Sequence, residues 1–144
     1  MQKVTPFLWY NGKAHEAAKF YTSIFKNSKI ESTTEITASF QLNGVRFVAF
    51  NGGPHFKFNE AISLFVRCDT QKEIDYFWEK LSAGGEKSRC GWLKDKFGVS
   101  WQIVPPILIE LLNHKDAAKA QRVMQAMLKM RKLDIKKLKQ VAKG

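Results

Sequence analysis

The architecture depends on one stretch, Asn51-Gly52-Gly53-Pro54-His55-Phe56-Lys57-Phe58-Asn59-Glu60, which separates two apolar runs at residues 45–50 and 61–66. Its glycines give the backbone freedom and its proline fixes one corner, so this composition predicts a joint between two folded halves. The joint also carries one of the three histidines of the chain and two asparagines. We therefore expect a candidate site at this joint.

The two sides of the joint show the same order of predicted elements. Before it, apolar spacing predicts a strand at residues 4–10, a helix at 13–26 and strands at 29–34, 36–42 and 45–50. Asn43-Gly44 predicts a hairpin turn between the last two. After the joint come a strand at 61–68, a helix that begins at Asp69 or Thr70 and stops at Gly84-Gly85, a polar connector, and extended segments at 90–93 and 99–104.

This order indicates an internal repeat. A shift of 56 residues aligns Phe20-Tyr21 with Tyr76-Phe77, and a shift of 54 aligns Gly44-Val45 with Gly98-Val99. We expect an α+β fold in which residues 1–104 form two βαβββ modules, the first at 1–51 and the second at 60–104, linked by the joint at 51–60. Each helix would cover one face of a curved mixed sheet, and the other faces would line a shared cleft.

Composition limits the class of protein. The chain has 144 residues, 44% of them hydrophobic, which is enough to bury a core. It has no apolar run of 18 residues and no signal-peptide pattern at residues 1–6, so we expect a cytoplasmic protein with no membrane partner. Cys68 and Cys90 lack CxxC spacing, and we interpret them as free structural thiols.

The positive charge is concentrated near the C-terminus. The net charge is +11, and residues 105–144 carry 10 Lys and Arg against 3 Asp and Glu. The helical spacing of these residues predicts a basic C-terminal helical extension. Two interpretations stay open: a solvated helix face, or a surface for nucleic acid or an acidic partner.

Three motifs carry a resemblance to a known family. They are VTPFLWYNG at residues 4–12, NGGPHFKFNEAIS at 51–63 and CGWLKDKFGVSWQIVP at 90–105. In these the chain resembles the PhnB-like proteins, a branch of the glyoxalase, bleomycin-resistance and extradiol dioxygenase (vicinal oxygen chelate) superfamily. The resemblance implies paired βαβββ modules completed in a homodimer, with a pocket in the concave sheet. It also carries the family label 3-demethylubiquinone 3-methyltransferase.

The resemblance raises the question of a metal and a cofactor. Catalytic members of the superfamily hold a divalent metal with His, Gln or Glu on the first and last strands of each module. The matching positions here are near Pro6, Ile62, Val48 and Gln102, and only Gln102 has a side chain that could ligate. We expect neither a metal nor another cofactor. We also expect no methyl transfer, because Gly52-Gly53-Pro54 does not open a helix as a cofactor-binding glycine turn does.

The candidate site residues are assembled from the joint and the last strands. His55 is a candidate general base or ligand-binding group, although joint residues of this kind also satisfy backbone groups in turns. The residues expected to line a largely apolar ligand cleft are Phe50, Asn51, His55, Asn59, Trp92 and Gln102. The expected function is the binding of a small organic ligand by a homodimer, with the reaction, if any, undefined. The alternative is an interaction protein that uses the basic tail.

Overall fold

The structure is a computed structural model and describes residues 2–144. The chain divides into two compact units. The first ends at Phe58 and the second spans Asn59–Gly144. The first contains β1 (Phe7–Tyr10), α1 (Ala14–Ile24), β2 (Lys29–Thr33), β3 (Thr37–Leu42) and β4 (Val45–Asn51). The second contains β5 (Ser63–Arg67), α2 (Gln71–Ser82), β6 (Glu86–Lys87), β7 (Trp92–Lys94), β8 (Ser100–Val104), α3 (Pro106–Leu112), α4 (Ala117–Leu128) and α5 (Ile135–Lys143). Across residues 2–144, no helix is both long enough and apolar enough to cross a membrane.

The first unit forms one mixed sheet in the order β1-β4-β3-β2. Strand β1 runs parallel to β4, and β3 pairs antiparallel with β2 and β4. Asn43 and Gly44 connect β3 to β4 in the predicted hairpin turn, and their φ angles of 48° and 86° are those of type I′. Helix α1 packs on the face of the sheet whose alternating side chains are buried, namely Leu8, Tyr10, Ala38, Phe40, Phe47 and Ala49.

The second unit repeats this topology in the order β5-β8-β7-β6. Thr70 caps α2, because its Oγ1 accepts a hydrogen bond from the N–H of Glu73 at 3.2 Å. The apolar face of α2 covers β7 and β8, where Leu93, Trp101 and Ile103 are buried. The predicted α+β class with two βαβββ modules is therefore confirmed.

The repeat alignment needs one correction. With a shift of 57 residues, Tyr21 falls on Trp78 and Ile24 falls on Leu81, and all four side chains are buried. The predicted shift of 56 is wrong for the helices, since it places Tyr21 on Phe77 and pairs the preceding position with Tyr76, which is 41% exposed. Matching aromatic letters led to this error, whereas the buried face of a helix is set by its period. The predicted polar connector also contains the short strand β6.

The C-terminal extension, helices α3–α5, belongs to the second unit. It surrounds a small core that consists of Val104, Leu108, Val123, Met130, Leu133, Leu138 and Ala142. Gln71 of α2 holds the segment before α5, since its Nε2 donates to the Leu133 carbonyl at 3.0 Å and its Oε1 accepts from the Ile135 N–H at 2.9 Å. Arg122 donates to the last carbonyls of α5, those of Val141 and Ala142. The extension is thus attached to its own module by specific hydrogen bonds.

Asp95 organises the connection between β7 and β8. It is 2% exposed, and its Oδ1 accepts from the N–H groups of Phe97 (2.8 Å) and Val99 (3.0 Å). Its Oδ2 accepts from Nε1 of the buried Trp101 at 2.9 Å. The carboxylate therefore joins the turn to the core beneath α2.

Replacing Asp95 should destabilise the fold strongly. Asp95→Ala leaves three donors without their acceptor, two of them in buried hydrogen bonds, so we expect a loss on the order of 3 kcal/mol in the free energy of unfolding, measured by urea denaturation. Asp69→Ala is the matched control, because Asp69 pairs with Arg67 at 3.0 Å in an exposed ion pair and should cost less than about 1 kcal/mol. Equal losses in the two variants would contradict this role of Asp95.

The two cysteines are free thiols in different surroundings. Cys68 is fully buried, and burial, together with the nearby carboxylates of Glu73 and Asp69, raises the pKa of its thiol to about 12. Cys90 is half-buried.

Alkylation should therefore separate the two thiols. Because the thiolate is the reactive form, Cys68 should resist iodoacetamide in the native protein at pH 8 to 9, while Cys90 should be modified first. Peptide mass spectrometry after timed labelling, with urea-unfolded protein as the control, measures both rates. Faster native labelling of Cys68 than of Cys90 would contradict the assignment.

Candidate functional site

Four aromatic side chains of the first unit form one group, which we call the aromatic cluster: Phe7, Trp9, Phe50 and Phe56. Phe7, Trp9 and Phe50 lie on the sheet face opposite α1, where β1 and β4 pair Phe7 with Val48 and Trp9 with Phe50. The ring centroids are 5.4 Å apart for Phe7 and Phe50, 5.2 Å for Trp9 and Phe50, and 5.0 Å for Trp9 and Phe56. Phe7 and Phe56 are 60% and 66% exposed. The cluster is therefore an aromatic surface that solvent reaches.

The joint holds Trp9 in a fixed orientation. The indole Nε1 donates to the Gly53 carbonyl at 2.9 Å, and the Gly52 N–H donates to the Tyr10 carbonyl at 2.9 Å. The indole lies so close to Gly52 that a Cβ there would overlap the ring. Glycine at position 52 is thus required by the tryptophan, and the ring is immobilised on its joint side.

The remaining predicted residues of the first unit differ in their roles. Phe50 belongs to the aromatic cluster. Asn51 is the last residue of β4, and its Oδ1 accepts from the N–H of Ala14 at 2.8 Å, so it satisfies a free donor at the start of α1. His55 is exposed, and its imidazole forms no hydrogen bond with any of the residues 2–144 that the structure describes. Of the three, Phe50 alone joins the aromatic surface.

The second unit contains Asn59, Trp92 and Gln102. Trp92 and Gln102 are directly paired across β7 and β8 and lie on the face opposite α2. Gln102 Nε2 donates to Ser63 Oγ at 2.9 Å. Asn59 is exposed and has a local structural role, because its Oδ1 accepts a hydrogen bond from the Ala61 N–H at 2.8 Å.

Two further polar side chains of the second unit, Glu60 and Ser100, differ in whether they have a partner. Glu60, the last residue of the joint, forms an ion pair with Lys94 at 3.0 Å, and the hydrogen bond from Lys94 lowers the pKa of the Glu60 carboxyl. Ser100 lies on the same sheet face as Gln102 and is 1% exposed. Its hydroxyl is buried and has no hydrogen-bond partner within residues 2–144. An unpaired buried hydroxyl is costly, so Ser100 marks a place where a further polar group would stabilise the protein.

Two concave regions lie elsewhere on the surface. One, of about 290 Å³, is lined by Gln2, Glu31, Gln41, Gly44 and Arg46 of the first unit. The other, of about 660 Å³, is lined by residues 87–89 and 128–131 of the second unit. None of the six predicted ligand-binding residues lines either region.

The residues present do not fit the metal of the superfamily. Val48 and Gln102 do lie on the sheet faces opposite the helices, but the first-strand residues on those faces are Phe7 and Ser63 rather than Pro6 and Ile62. This set offers one amide and one hydroxyl, whereas transition metals in proteins are held by several imidazole, carboxylate or thiolate groups. In the described range 2–144, no three His, Cys, Asp or Glu side chains come together as a metal site.

Comparison with models of known protein families identifies the family of this chain. A sequence model described as 3-demethylubiquinone-9 3-methyltransferase matches residues 2–104. The chain belongs to this family. The match ends at Val104, the last residue of β8, so the helical extension lies outside it. A search of curated proteins gave no match.

Solved structures agree with the family assignment. A PhnB protein from Bacillus cereus, which carries the same methyltransferase description, is 39% identical; the alignment covers 72% of this chain and 99% of that one, with a TM-score of 0.67. The predicted PhnB-like resemblance is confirmed.

More distant structures share only the fold. A protein from Pseudomonas aeruginosa is 17% identical over 73% of this chain and 98% of its own, with a TM-score of 0.60. The fosfomycin resistance protein FosX from Listeria monocytogenes, solved with Mn(II) and sulfate, is 15% identical over 78% and 97%, with a TM-score of 0.59. The predicted glyoxalase and bleomycin-resistance fold is thereby supported for both family modules.

Sequence reasoning missed five residues of these sites, namely Phe7, Trp9, Phe56, Ser63 and Ser100. Trp9 lies two positions after Phe7 on a short strand, and because residues two apart share a face, this spacing could have placed both side chains on the face away from α1. Ser63 and Ser100 gave no local signal, because the first depends on a partner on another strand and the second on burial. Register across strands was required to find them.

The contact between Gly52 and Trp9 can be tested by substitution. In Gly52→Ala the new methyl group displaces the indole, so the Trp9 Nε1–H resonance should shift and stability should fall by about 1–3 kcal/mol. Indole N–H NMR spectra, with Trp9 assigned through Trp9→Phe, report the first effect, and urea denaturation reports the second.

Gly53→Ala is the matched control. Gly53 has a φ of 93°, so alanine strains the backbone there, but its methyl group would meet no atom closer than 4.0 Å. It should destabilise the protein while leaving the indole packing in place. Identical Trp9 resonances in Gly52→Ala and wild type would show that the ring is not held by this contact.

Proposed function

We propose that this protein binds a small, flat, largely apolar organic molecule on the aromatic cluster, without a metal. The observation that carries the proposal is the partly exposed aromatic surface on rigid strands. Aromatic rings bind flat molecules through stacked and edge-on contacts, and immobilised rings lose little entropy when they do so. Trp9 meets this condition because Gly52 and Gly53 already hold it.

The chemistry of the cluster favours binding over catalysis. Phenylalanine and tryptophan side chains supply no acid, base or nucleophile at neutral pH, so the cluster itself can position a ligand but cannot transfer a proton. Val48, beside Phe7, extends the same apolar surface along β4. A neutral aromatic or quinone-like compound fits this surface better than a phosphate or a sugar.

The second unit, taken by itself, has polar groups that could also bind an organic ligand. Gln102 is oriented by its hydrogen bond to Ser63, and its amide oxygen accepts no hydrogen bond from residues 2–144. This oxygen can accept from a hydroxyl or amine of a ligand, and the paired Trp92 supplies an adjacent ring. The open face of this module therefore offers one amide and one indole.

Methyl transfer, which the family name contains, is not part of the proposal. The two glycines that could resemble a cofactor-binding turn are used to hold Trp9, and the chain continues from them to β5 rather than into a helix. In nucleotide-type cofactor sites such glycines sit before a helix N-terminus that faces the ligand.

Binding of a neutral probe tests the proposal. At pH 7, 2-naphthol should shift the Trp9 indole resonance and bind with a measurable Kd in NMR titration. Phe7→Ala and Phe56→Ala each remove one exposed ring, so each should weaken binding about five- to tenfold, as expected for about 1 kcal/mol per aromatic contact. Native mass spectrometry of the same samples records any copurified compound and whether the protein is the homodimer that the family resemblance implies.

Tyr76→Ala is the matched control, since it removes an aromatic ring that is 41% exposed on the helix α2. It should bind the probe as the wild type does. If the probe left Trp9 unperturbed, or if all three variants bound it equally well, the aromatic cluster would not be the site.

A further inference from the structure

A second site candidate lies in the basic cleft, which we define by Lys87, Ser88, Arg89, Leu128, Lys129, Met130 and Arg131. Its volume is about 660 Å³. Four of its seven residues are cationic and none is acidic. One wall follows β6 in the second module, and the other is the end of α4 with the residues after it. The cleft therefore lies between the βαβββ module and the C-terminal extension of the second unit.

Backbone contacts hold the two walls at a fixed distance. The N–H groups of Cys90 and Gly91 donate to the carbonyls of Met130 and Arg131 at 2.9 and 2.8 Å. Gly91 permits this approach, because a Cβ there would lie 2.8 Å from the Ile103 carbonyl oxygen and 2.9 Å from Leu133. The Arg131 guanidinium also donates to the Lys87 carbonyl across the cleft. The cleft is a built concavity rather than a gap between mobile segments.

The positive charge of the cleft is only partly neutralised. Lys87 forms an ion pair with Glu79 at 2.9 Å, and Glu86 is the nearest acid in sequence. Arg89, Lys129 and Arg131 form no ion pair with residues 2–144. Three uncompensated cations around one concavity attract an anion of more than one charge.

The adjoining helix end does not cancel this attraction. Carbonyls at a helix C-terminus carry partial negative charge. Here the carbonyls of Ala126 and Met127 accept hydrogen bonds from the N–H groups of Lys129 and Met130, respectively, and the Met127 carbonyl also accepts from the Cys90 thiol at 3.5 Å. The negative charge of these two carbonyls is thus directed at donors of the protein. The side chains of Arg89, Lys129 and Arg131 are exposed to solvent.

We propose that the basic cleft binds phosphate groups, carried by a small polyphosphate or by a nucleic-acid backbone. Arg89 provides a planar donor pair that matches phosphate oxygens, and Lys129 and Arg131, whose guanidinium also holds the Lys87 carbonyl, add two more positive charges. The cleft has no aromatic lining, so bases would not stack in it and recognition would rest on the phosphates. This site and its ligand are distinct from the aromatic cluster.

Charge reversal at the cleft tests the proposal. Arg89→Glu combined with Lys129→Glu changes two exposed residues of the cleft. Inorganic tripolyphosphate, measured by calorimetry at roughly 50 and 200 mM salt, should bind the wild type, and the double variant should lose about tenfold or more in affinity with a shallower salt dependence. The milder pair Arg89→Gln and Lys129→Gln should show a smaller loss in the same direction.

The matched control is Lys136→Glu with Lys139→Glu, which makes the same net charge change on exposed positions of α5. It should bind tripolyphosphate within about twofold of the wild type. Equal losses in the two double variants would show diffuse attraction by the basic extension and would overturn the proposal, as would an unaltered affinity in the cleft variant.

Two further ligands identify the source of the phosphate. A single-stranded ten-nucleotide DNA that binds more tightly than tripolyphosphate, with the same dependence on Arg89 and Lys129, assigns the cleft to a nucleic-acid backbone. Tripolyphosphate binding without DNA binding assigns it to a small polyphosphate. A glutamate decapeptide that binds as well as either, with the same dependence, would overturn the proposal in favour of an acidic protein partner.

Discussion

Parallel pairing of β1 with β4 is the constraint on which the candidate site depends. It sets Tyr10 beside Asn51, although the helix α1 and two strands lie between them in sequence. The same register brings Asn51 to the start of α1, Gly52 to the Tyr10 carbonyl, and the Trp9 indole onto the joint. Closing such a long loop costs chain entropy, which the buried face of the sheet and these contacts offset. One pairing thus builds the module and orients its aromatic surface.

Features with local causes could be predicted from sequence. The Asn43-Gly44 turn and the Thr70 cap of α2 depend on residues within four positions, so their letters suffice. The joint could also be located, because its glycines and proline interrupt two apolar runs. The roles of Asn51 and Trp9 could not, since each depends on an atom brought close by strand register: the Ala14 N–H for one and the Gly53 carbonyl for the other. The one-residue error in aligning the helices had a different origin, because aromatic letters were matched whereas the buried face of a helix follows its period.

The two modules share a topology but differ in what their connections do. In the first, a two-residue turn joins β3 to β4. In the second, the longer β7–β8 connection is organised by a buried carboxylate, and the segment before β7 is bound by the extension through Cys90 and Gly91. The N–H groups of Cys90 and Gly91 are thereby paired with carbonyls of the extension. The basic cleft lies at this junction, since Arg89 and Arg131 belong to its lining and adjoin these hydrogen bonds.

The position of the aromatic cluster also explains why a metal centre does not fit. The first-module positions that would have to supply ligands hold Phe7 and Val48, paired with each other in the sheet. A single imidazole or carboxylate introduced there would be flanked by rings and would have no second donor in that module, so its desolvation would not be repaid by coordination. Several simultaneous changes would be needed to turn this face into a metal site, and each would remove part of the aromatic contact area. The apolar surface and a metal centre are therefore alternative uses of the same strands, and this chain has the residues for the first.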